Sequence, residues 1–165
     1  MANPRRAKPA AKLSSKADGE SLLRPSCLIA LYLTEPLSAQ IRAFVEKQNQ
    51  SVLVNQLQEL EFRNGLRQKV LRKEITEQEL TRSLRVFDDD CVAEKVQRKS
   101  LVWSAVYARA EAISSRRSMQ QTCRSFDLLH VAIAAASQVR HFTTADGGQA
   151  ELARAAGMRV IHFRI

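Results

Sequence analysis

The chain has 165 residues, of which 45% are hydrophobic and 26% charged, a composition ordinary for one soluble globular domain. No apolar run approaches the length of a membrane span, so we expect no membrane association. The three cysteines are widely spaced and odd in number, which excludes a disulfide framework and a zinc motif and predicts a cytoplasmic protein.

The net charge of +9 is unevenly distributed along the chain. Residues 1–20 are rich in Ala, Pro, Lys, Arg and Ser, carry +3, and are predicted to form a disordered basic arm. Residues 21–165 carry the remaining +6 and form the predicted folded domain. A basic surface suits RNA, DNA or an acidic protein partner, and solubility alone is the alternative explanation.

Short strands and helices alternate through residues 21–165, and this pattern predicts an open α/β sheet with largely parallel strands. The predicted strands are 21–23, 51–55, 140–144 and 158–162. The predicted helices are 27–33, 37–48, 56–72, 77–88, 99–117, 125–139 and 147–156.

Local signals fix several of these boundaries. Thr76 and Glu79 have the spacing of a capping box at the start of helix 77–88. The run Asp88-Asp89-Asp90 has no further ligands at a calcium-loop spacing, so it predicts the helix end or a solvated loop. Spacing along helix 56–72 predicts an inner stripe of Leu57, Leu60, Asn64 and Leu71.

Segment 125–139 is the most apolar part of the chain, with no charged residue from Leu128 onward. Ser125 is the predicted helix cap, and Asp127 lies in the first turn, where the helix dipole favours an anion. Asp127 is therefore either a capping residue or an active-site acid at the top of the core. Its neighbour one turn later, His130, is predicted to be a packing residue.

Two other carboxylates are predicted to lie near Asp127. Glu61 is on the helix that follows strand 51–55, and Asp146 follows strand 140–144 and caps the next helix. In an open α/β sheet, ligands bind outside the carboxyl ends of the strands. Clustered acids repel unless a cation lies between them, so the arrangement suits Mg²⁺-assisted phosphodiester hydrolysis. No phosphate-cradling glycine motif is present.

Four segments together resemble the PIN-domain family, and within it the VapC-type toxin ribonucleases of toxin–antitoxin systems. The similarity covers about residues 21–162. The segments are Arg24-Pro-Ser-Cys-Leu-Ile-Ala-Leu-Tyr32, Leu60-Glu-Phe-Arg-Asn-Gly-Leu-Arg67, Phe126-Asp-Leu-Leu-His-Val-Ala-Ile-Ala134 and Phe142-Thr-Thr-Ala-Asp146, the last together with Gln149, Leu152, Ala153 and Gly157.

The resemblance implies a three-layer α/β/α sandwich around a mostly parallel sheet of about five short strands. It also implies an Mg²⁺- or Mn²⁺-dependent endoribonuclease that acts on RNA, forms a homodimer and is inhibited by a cognate antitoxin protein. The family's catalytic and metal-binding acids fall on Glu61, Asp127 and Asp146. Its site-lining hydroxyl residues fall on Ser26 and Thr144.

The family's first acid falls on Arg24, which replaces a metal ligand with a permanent cation. The guanidinium either occupies the place of Mg²⁺ or turns outward. Three functions therefore stay open: a metal-dependent ribonuclease, a catalytically silent module that binds RNA or a protein partner, and a purely structural subunit. Because Mg²⁺ is repelled by an adjacent cation, we expect weak Mg²⁺ affinity and little or no cleavage.

Overall fold

The computed structural model describes residues 21–49, 51–120, 122–139 and 141–164, and every structural statement below concerns these residues. The predicted basic arm, residues 1–20, lies outside the described residues, as does Arg140, the first residue of one predicted strand.

Five strands form one entirely parallel sheet in the order β3-β2-β1-β4-β5. They are β1 (Ser21–Leu23), β2 (Val52–Val54), β3 (Val96–Arg98), β4 (His141–Thr144) and β5 (Val160–His162). The α/β class with a parallel sheet is confirmed. The sequence did not predict β3, because Val96 is its only buried residue and the apolar signal of a strand is missing.

Seven helices connect these strands within the described residues. They are α1 (Pro25–Tyr32), α2 (Ser38–Gln48), α3 (Gln56–Leu71), α4 (Glu77–Val92), α5 (Trp103–Arg117), α6 (Ser125–Ala136) and α7 (Gly147–Ala155). Most ends agree with the predicted ones to within a few residues. The start of α5 is displaced from residue 99 to Trp103, because the Lys99 backbone N–H still donates to the Val54 carbonyl beside the sheet.

Alternation along the strands divides the core into two clusters, one on each face of the sheet. Leu23, Val52 and Val54 pack against α1 to α4, whereas Leu22 and Leu53 pack against α5 to α7. The predicted three-layer α/β/α sandwich is thereby confirmed. Its carboxyl edge, where β1 and β4 end, is the place where α6 and α7 begin.

The predicted inner stripe of α3 is wrong except at Leu57, which is partly buried against the core. Leu60 and Leu71 are 62% and 73% exposed, and the buried residues are Gln58, Phe62 and Leu66. Phe62 packs on Phe87 of α4 with 4.8 Å between the ring centroids, on the side of α3 that is buried. The prediction relied on the spacing of the leucines. A large aromatic side chain such as Phe62 buries more apolar area than a leucine at the edge of the helix, and its position therefore decides which side faces the core.

The triple aspartate lies at the C-terminal end of α4, as predicted, although the helix continues to Val92 instead of ending at Asp88. All three carboxylates have cationic partners: Asp88 pairs with Arg63, Asp89 with Arg85 at 4.0 Å, and Asp90 with Lys95 at 3.3 Å. Asp90 also accepts a hydrogen bond from the Tyr32 hydroxyl at 3.1 Å. These contacts offset the unfavourable interaction of anions with the C-terminal end of a helix.

Candidate active site

The candidate site lies at the carboxyl edge of the sheet, where β1 leads into α1 and where α6 starts. Arg24 follows β1 directly in an extended conformation, as expected for a residue before proline. Asp127 is in the first turn of α6. The predicted cap of α6, Ser125, is instead its first helical residue, and the N-cap position belongs to Arg124, whose side chain makes no capping hydrogen bond.

Arg24 contacts Asp127 directly. Its Nη2 lies 2.8 Å from Asp127 Oδ1, and the two side chains are only 18% and 20% exposed. A hydrogen bond between ionised groups at this distance is among the strong ones. The sequence left open whether the Arg24 guanidinium occupies the place of a metal ion or turns outward. In the structure the guanidinium faces the Asp127 carboxylate and does not turn outward.

A chain of hydrogen bonds joins Asp127 to the end of β4. Gln149 Nε2 donates to Asp127 Oδ1 at 3.1 Å, and Thr144 Oγ1 donates to Gln149 Oε1 at 2.9 Å. Thr144 Oγ1 in turn accepts from the Asp146 backbone N–H at 3.0 Å. Because Gln149 and Thr144 are buried, these bonds fix the orientation of Asp127 from the interior.

Asp146 has the predicted capping role at the start of α7, where Oδ1 accepts from the Gln149 backbone N–H at 2.8 Å. Asp127 and Asp146 both line a cavity of about 230 Å³ between α6 and α7, called here the α6–α7 cavity. Its other lining residues are Thr122, Cys123, Arg124, Gly148, Gln149 and Leu152.

Glu61 is not among the residues that line the α6–α7 cavity. Its Oε2 lies 2.8 Å from Nε2 of His130, which is completely buried on α6 one turn after Asp127. The predicted packing role of His130 agrees with this burial, but its contact with a carboxylate was not foreseen. The i, i+3 spacing of Asp127 and His130 puts them on the same side of α6, and that spacing was the signal available in the sequence.

Ser26 is exposed at the start of α1 and does not line the α6–α7 cavity. Its neighbour Cys27 is buried, and burial raises the pKa of the Cys27 thiol to about 11 although Ser26 and Arg24 oppose the shift. The thiol is therefore protonated near neutral pH, and thiolate chemistry at this position is excluded.

Sequence reasoning did not assign a role to Gln149 or Arg124. Gln149 lies three residues after Asp146, the N-cap residue of α7. At this position the backbone N–H is expected to donate a hydrogen bond to the side chain of the cap. That position brings the Gln149 side chain back over Thr144 and towards Asp127. Arg124 directly precedes α6, and nothing in its local sequence distinguishes it from other surface arginines.

The residues present do not fit a divalent metal ion. Asp127 Oδ1 accepts from two side-chain donors, Asp146 Oδ1 caps a helix, and Glu61 contacts His130. Across residues 21–49, 51–120, 122–139 and 141–164, no three His, Cys, Asp or Glu side chains are grouped so that they could hold a metal. Mg²⁺ requires near-octahedral oxygen coordination, which this donor set lacks.

The PIN-domain family model matches residues 25–155, which is most of the chain, and the chain therefore belongs to the PIN-domain family. The predicted family resemblance is confirmed. PIN domains are generally nucleases that depend on divalent metals.

Among solved structures, the chain is similar to the crystal structure of FitAcB from Neisseria gonorrhoeae. The TM-score is 0.55 at 15% sequence identity, and the match covers 86% of this chain and 96% of the other. At this identity the likeness bears on the fold alone. No curated protein sequence matches the chain significantly.

Among the helices in the described ranges, none has both the length and the hydropathy needed to cross a lipid bilayer.

Proposed function

We propose that residues 21–165 are a PIN module of VapC-type toxin origin that binds RNA and has little or no metal-dependent cleavage activity. The observation that supports this proposal is the 2.8 Å contact between Arg24 and Asp127. Arg24 stands, by resemblance, at the position of the family's first acid. The substitution removes a carboxylate and adds a cation beside the acid that remains.

The energetics favour the ion pair over a bound metal. Mg²⁺ holds its water tightly and needs several oxygen ligands at about 2.0–2.1 Å. A fixed guanidinium charge beside Asp127 repels the ion, and in a half-buried site this repulsion is only partly screened. Arg24 also supplies the positive charge that Asp127 would otherwise obtain from Mg²⁺ or Mn²⁺.

The second candidate function is a Mg²⁺- or Mn²⁺-dependent endoribonuclease with Glu61, Asp127 and Asp146 as catalytic and metal-binding residues. Asp127 and Asp146 line the same cavity, and this observation favours it. In this case Arg24 would have to leave Asp127 when a metal and RNA bind. Ser26 and Thr144 would line the site, as the resemblance implies.

Calorimetric titration with Mg²⁺ and Mn²⁺, beside an RNase assay with an EDTA control, distinguishes the two candidates. We expect no measurable metal binding by the wild type and new binding by Arg24→Asp. Arg85→Asp is the matched control, because it makes the same charge change on an exposed side chain of α4. Metal-dependent cleavage by the wild type that Asp127→Asn abolishes would contradict the proposal and establish the nuclease.

The partners proposed for this module are RNA, a cognate antitoxin protein and a second copy of the chain, in the cytoplasm. Net charge supports RNA, and the resemblance to VapC-type toxins supports the antitoxin. For the homodimer, support comes from α5, where Val102 before the helix and Tyr107 within it are exposed apolar side chains. Light scattering at micromolar concentration would detect the dimer.

A further inference from the structure

We infer that Phe126, together with Arg124, forms a contact surface for one nucleotide of single-stranded RNA at the entrance to the α6–α7 cavity. In this arrangement a base stacks on the Phe126 ring and Arg124 binds a phosphate. This inference rests on the proposed function, because RNA is the ligand of that function.

Phe126 differs from every other phenylalanine of the chain in its burial. Phe62, Phe87 and Phe142 are completely buried, and Phe163 nearly so. Phe44 packs on the Phe163 ring at 5.7 Å between centroids. Phe126, in contrast, is 56% exposed and belongs to neither core cluster. Its ring therefore contributes little to folding and is available to a ligand.

Phe126 does not itself line the α6–α7 cavity, but its neighbours in the sequence Arg124 and Asp127 both do. It is the second residue of α6 and directly precedes Asp127. Arg124, two residues earlier, is exposed and lines the α6–α7 cavity. No ion pair of Arg124 with another described residue is present, whereas Arg24 is paired with Asp127.

The charge balance at this entrance allows a phosphate to approach. Arg24 neutralises Asp127, so this carboxylate repels a phosphate less than a free one would, and the second carboxylate of the lining, Asp146, is opposed by the charge of Arg124. Arg124 then adds a cation with the fork geometry that suits phosphate oxygens. The phosphate can thus be held without a divalent ion, in agreement with the poor fit of the site to a metal.

The pairing of an aromatic ring with an arginine specifies single-stranded nucleic acid. Bases stack on aromatic side chains when they are not already stacked within a duplex, and the phosphate backbone binds cationic groups. Stacking of this kind tolerates any base, so the surface selects for strandedness more than for sequence. A protein partner that inserts its own side chain beside Phe126 is the competing explanation.

The test is fluorescence anisotropy of the full-length chain with a labelled single-stranded RNA of mixed sequence and with the corresponding duplex. We expect Phe126→Ala to weaken single-strand binding roughly tenfold to a hundredfold, the range found when a stacked base loses its aromatic partner. Duplex binding should change little. Phe126→Trp should keep the affinity, whereas Phe126→Leu, which retains an apolar side chain but no ring face, should lose it.

Two matched controls make the result specific. Leu71→Ala truncates an exposed apolar side chain at the far end of α3, and Arg85→Ala removes an exposed arginine of α4. Neither should change RNA affinity as much as Phe126→Ala or Arg124→Ala does. Thermal unfolding of each variant verifies that it is folded.

The outcomes separate this inference from the proposed function. If the wild type does not bind RNA at all, both fail. If the wild type binds RNA and both Phe126→Ala and Phe126→Leu bind it as tightly as the wild type does, only the stacking inference fails. It also fails if Phe126→Ala leaves RNA affinity unchanged and instead alters oligomeric state or antitoxin binding, because the surface is then a protein interface.

Discussion

At the residue scale, the chemistry of the candidate site is decided by one cation. Arg24 and Gln149 both donate to the same oxygen of Asp127, so that carboxylate is oriented and neutralised from within the protein. Breaking a partly buried ion pair by removing one partner leaves the other charge uncompensated.

We therefore expect Arg24→Ala to lower the free energy of unfolding by about 1–3 kcal/mol near neutral pH. Arg24→Lys should lower the free energy of unfolding by less, because lysine keeps the positive charge although it lacks the planar fork of donors. Urea unfolding of both variants measures the effect, with Arg85→Ala as an exposed control. An unfolding free energy of Arg24→Ala equal to that of the wild type would show that the pair does not stabilise the fold.

A second residue-scale prediction concerns Glu59 of α3. Hydrogen bonds from Arg98, assisted by Arg63, hold the pKa of this carboxyl below its ordinary value of 4.5 although partial burial opposes the shift. A lowered pKa in the folded state means that the stabilisation is complete above the ordinary pKa and is lost as pH falls through the folded value.

Glu59→Gln should accordingly destabilise the protein by about 1–2 kcal/mol at neutral pH, because it removes charge-assisted hydrogen bonds to two arginines. The difference from the wild type should narrow below about pH 4. Denaturant unfolding at about pH 7 and about pH 3 tests this. A difference that stays the same in acid would mean that packing, and not the charge of Glu59, is responsible.

At the element scale, two capping boxes begin α3 and α4 in different surroundings. Asn55 of α3 is buried, and its partner Gln58 also donates to the Leu23 carbonyl at 2.7 Å, which ties α3 to β1 beside Arg24. Thr76 of α4 is exposed and pairs with Glu79 only. The same motif is therefore expected to contribute unequal amounts of stability.

Thr76→Ala should cost about 1 kcal/mol, the usual loss for a cap. Asn55→Ala should cost about 2–3 kcal/mol, because it also leaves buried polar groups without partners. Thr81→Ala is the control, since Thr81 lies within α4 and its hydroxyl bonds back to the Glu77 carbonyl; its effect should be near zero. Thermal unfolding followed by circular dichroism measures all three, and equal losses at Asn55 and Thr76 would contradict the role of burial.

At the scale of the whole molecule, net charge dominates the interaction with polyanions. The chain carries +9, and two thirds of that excess belongs to residues 21–165. Each phosphate that contacts a cation releases counterions. The logarithm of the binding constant for single-stranded RNA therefore falls with the logarithm of the salt concentration, with a slope of about −0.7 per phosphate contact.

We expect affinity for single-stranded RNA to fall about a hundredfold between roughly 50 and 200 mM salt, as about five phosphate contacts require. Deletion of residues 2–20 should reduce the slope but not remove it, because most of the excess charge remains. Anisotropy titrations over this salt range measure the slope for both chains. Affinity that does not change with salt would exclude an electrostatic mode of binding.

The fold was predictable from sequence wherever a segment carried its own signal. The apolar runs of β1 and β2, the capping box at Thr76 and the cap at Asp146 were all found where they were predicted. Combined motifs also identified the PIN-domain family before any geometry was known. These features are local, because strand periodicity, caps and short motifs depend on residues a few positions apart.

The arrangement of the site was decided by contacts between residues distant in the chain. Asp127 and Arg24 are separated by 103 positions, so no local pattern could show whether the guanidinium turns outward or meets the carboxylate. Strand β3 likewise depends on a distant segment, because it forms through its pairing with β2. The buried side of α3 depends on one as well, since Phe62 packs on Phe87 of α4. Sequence by itself therefore determined the elements other than β3, the family and the identity of the charged residues. Only the tertiary structure decided which charges meet, because ion pairing and packing depend on distances that the fold creates.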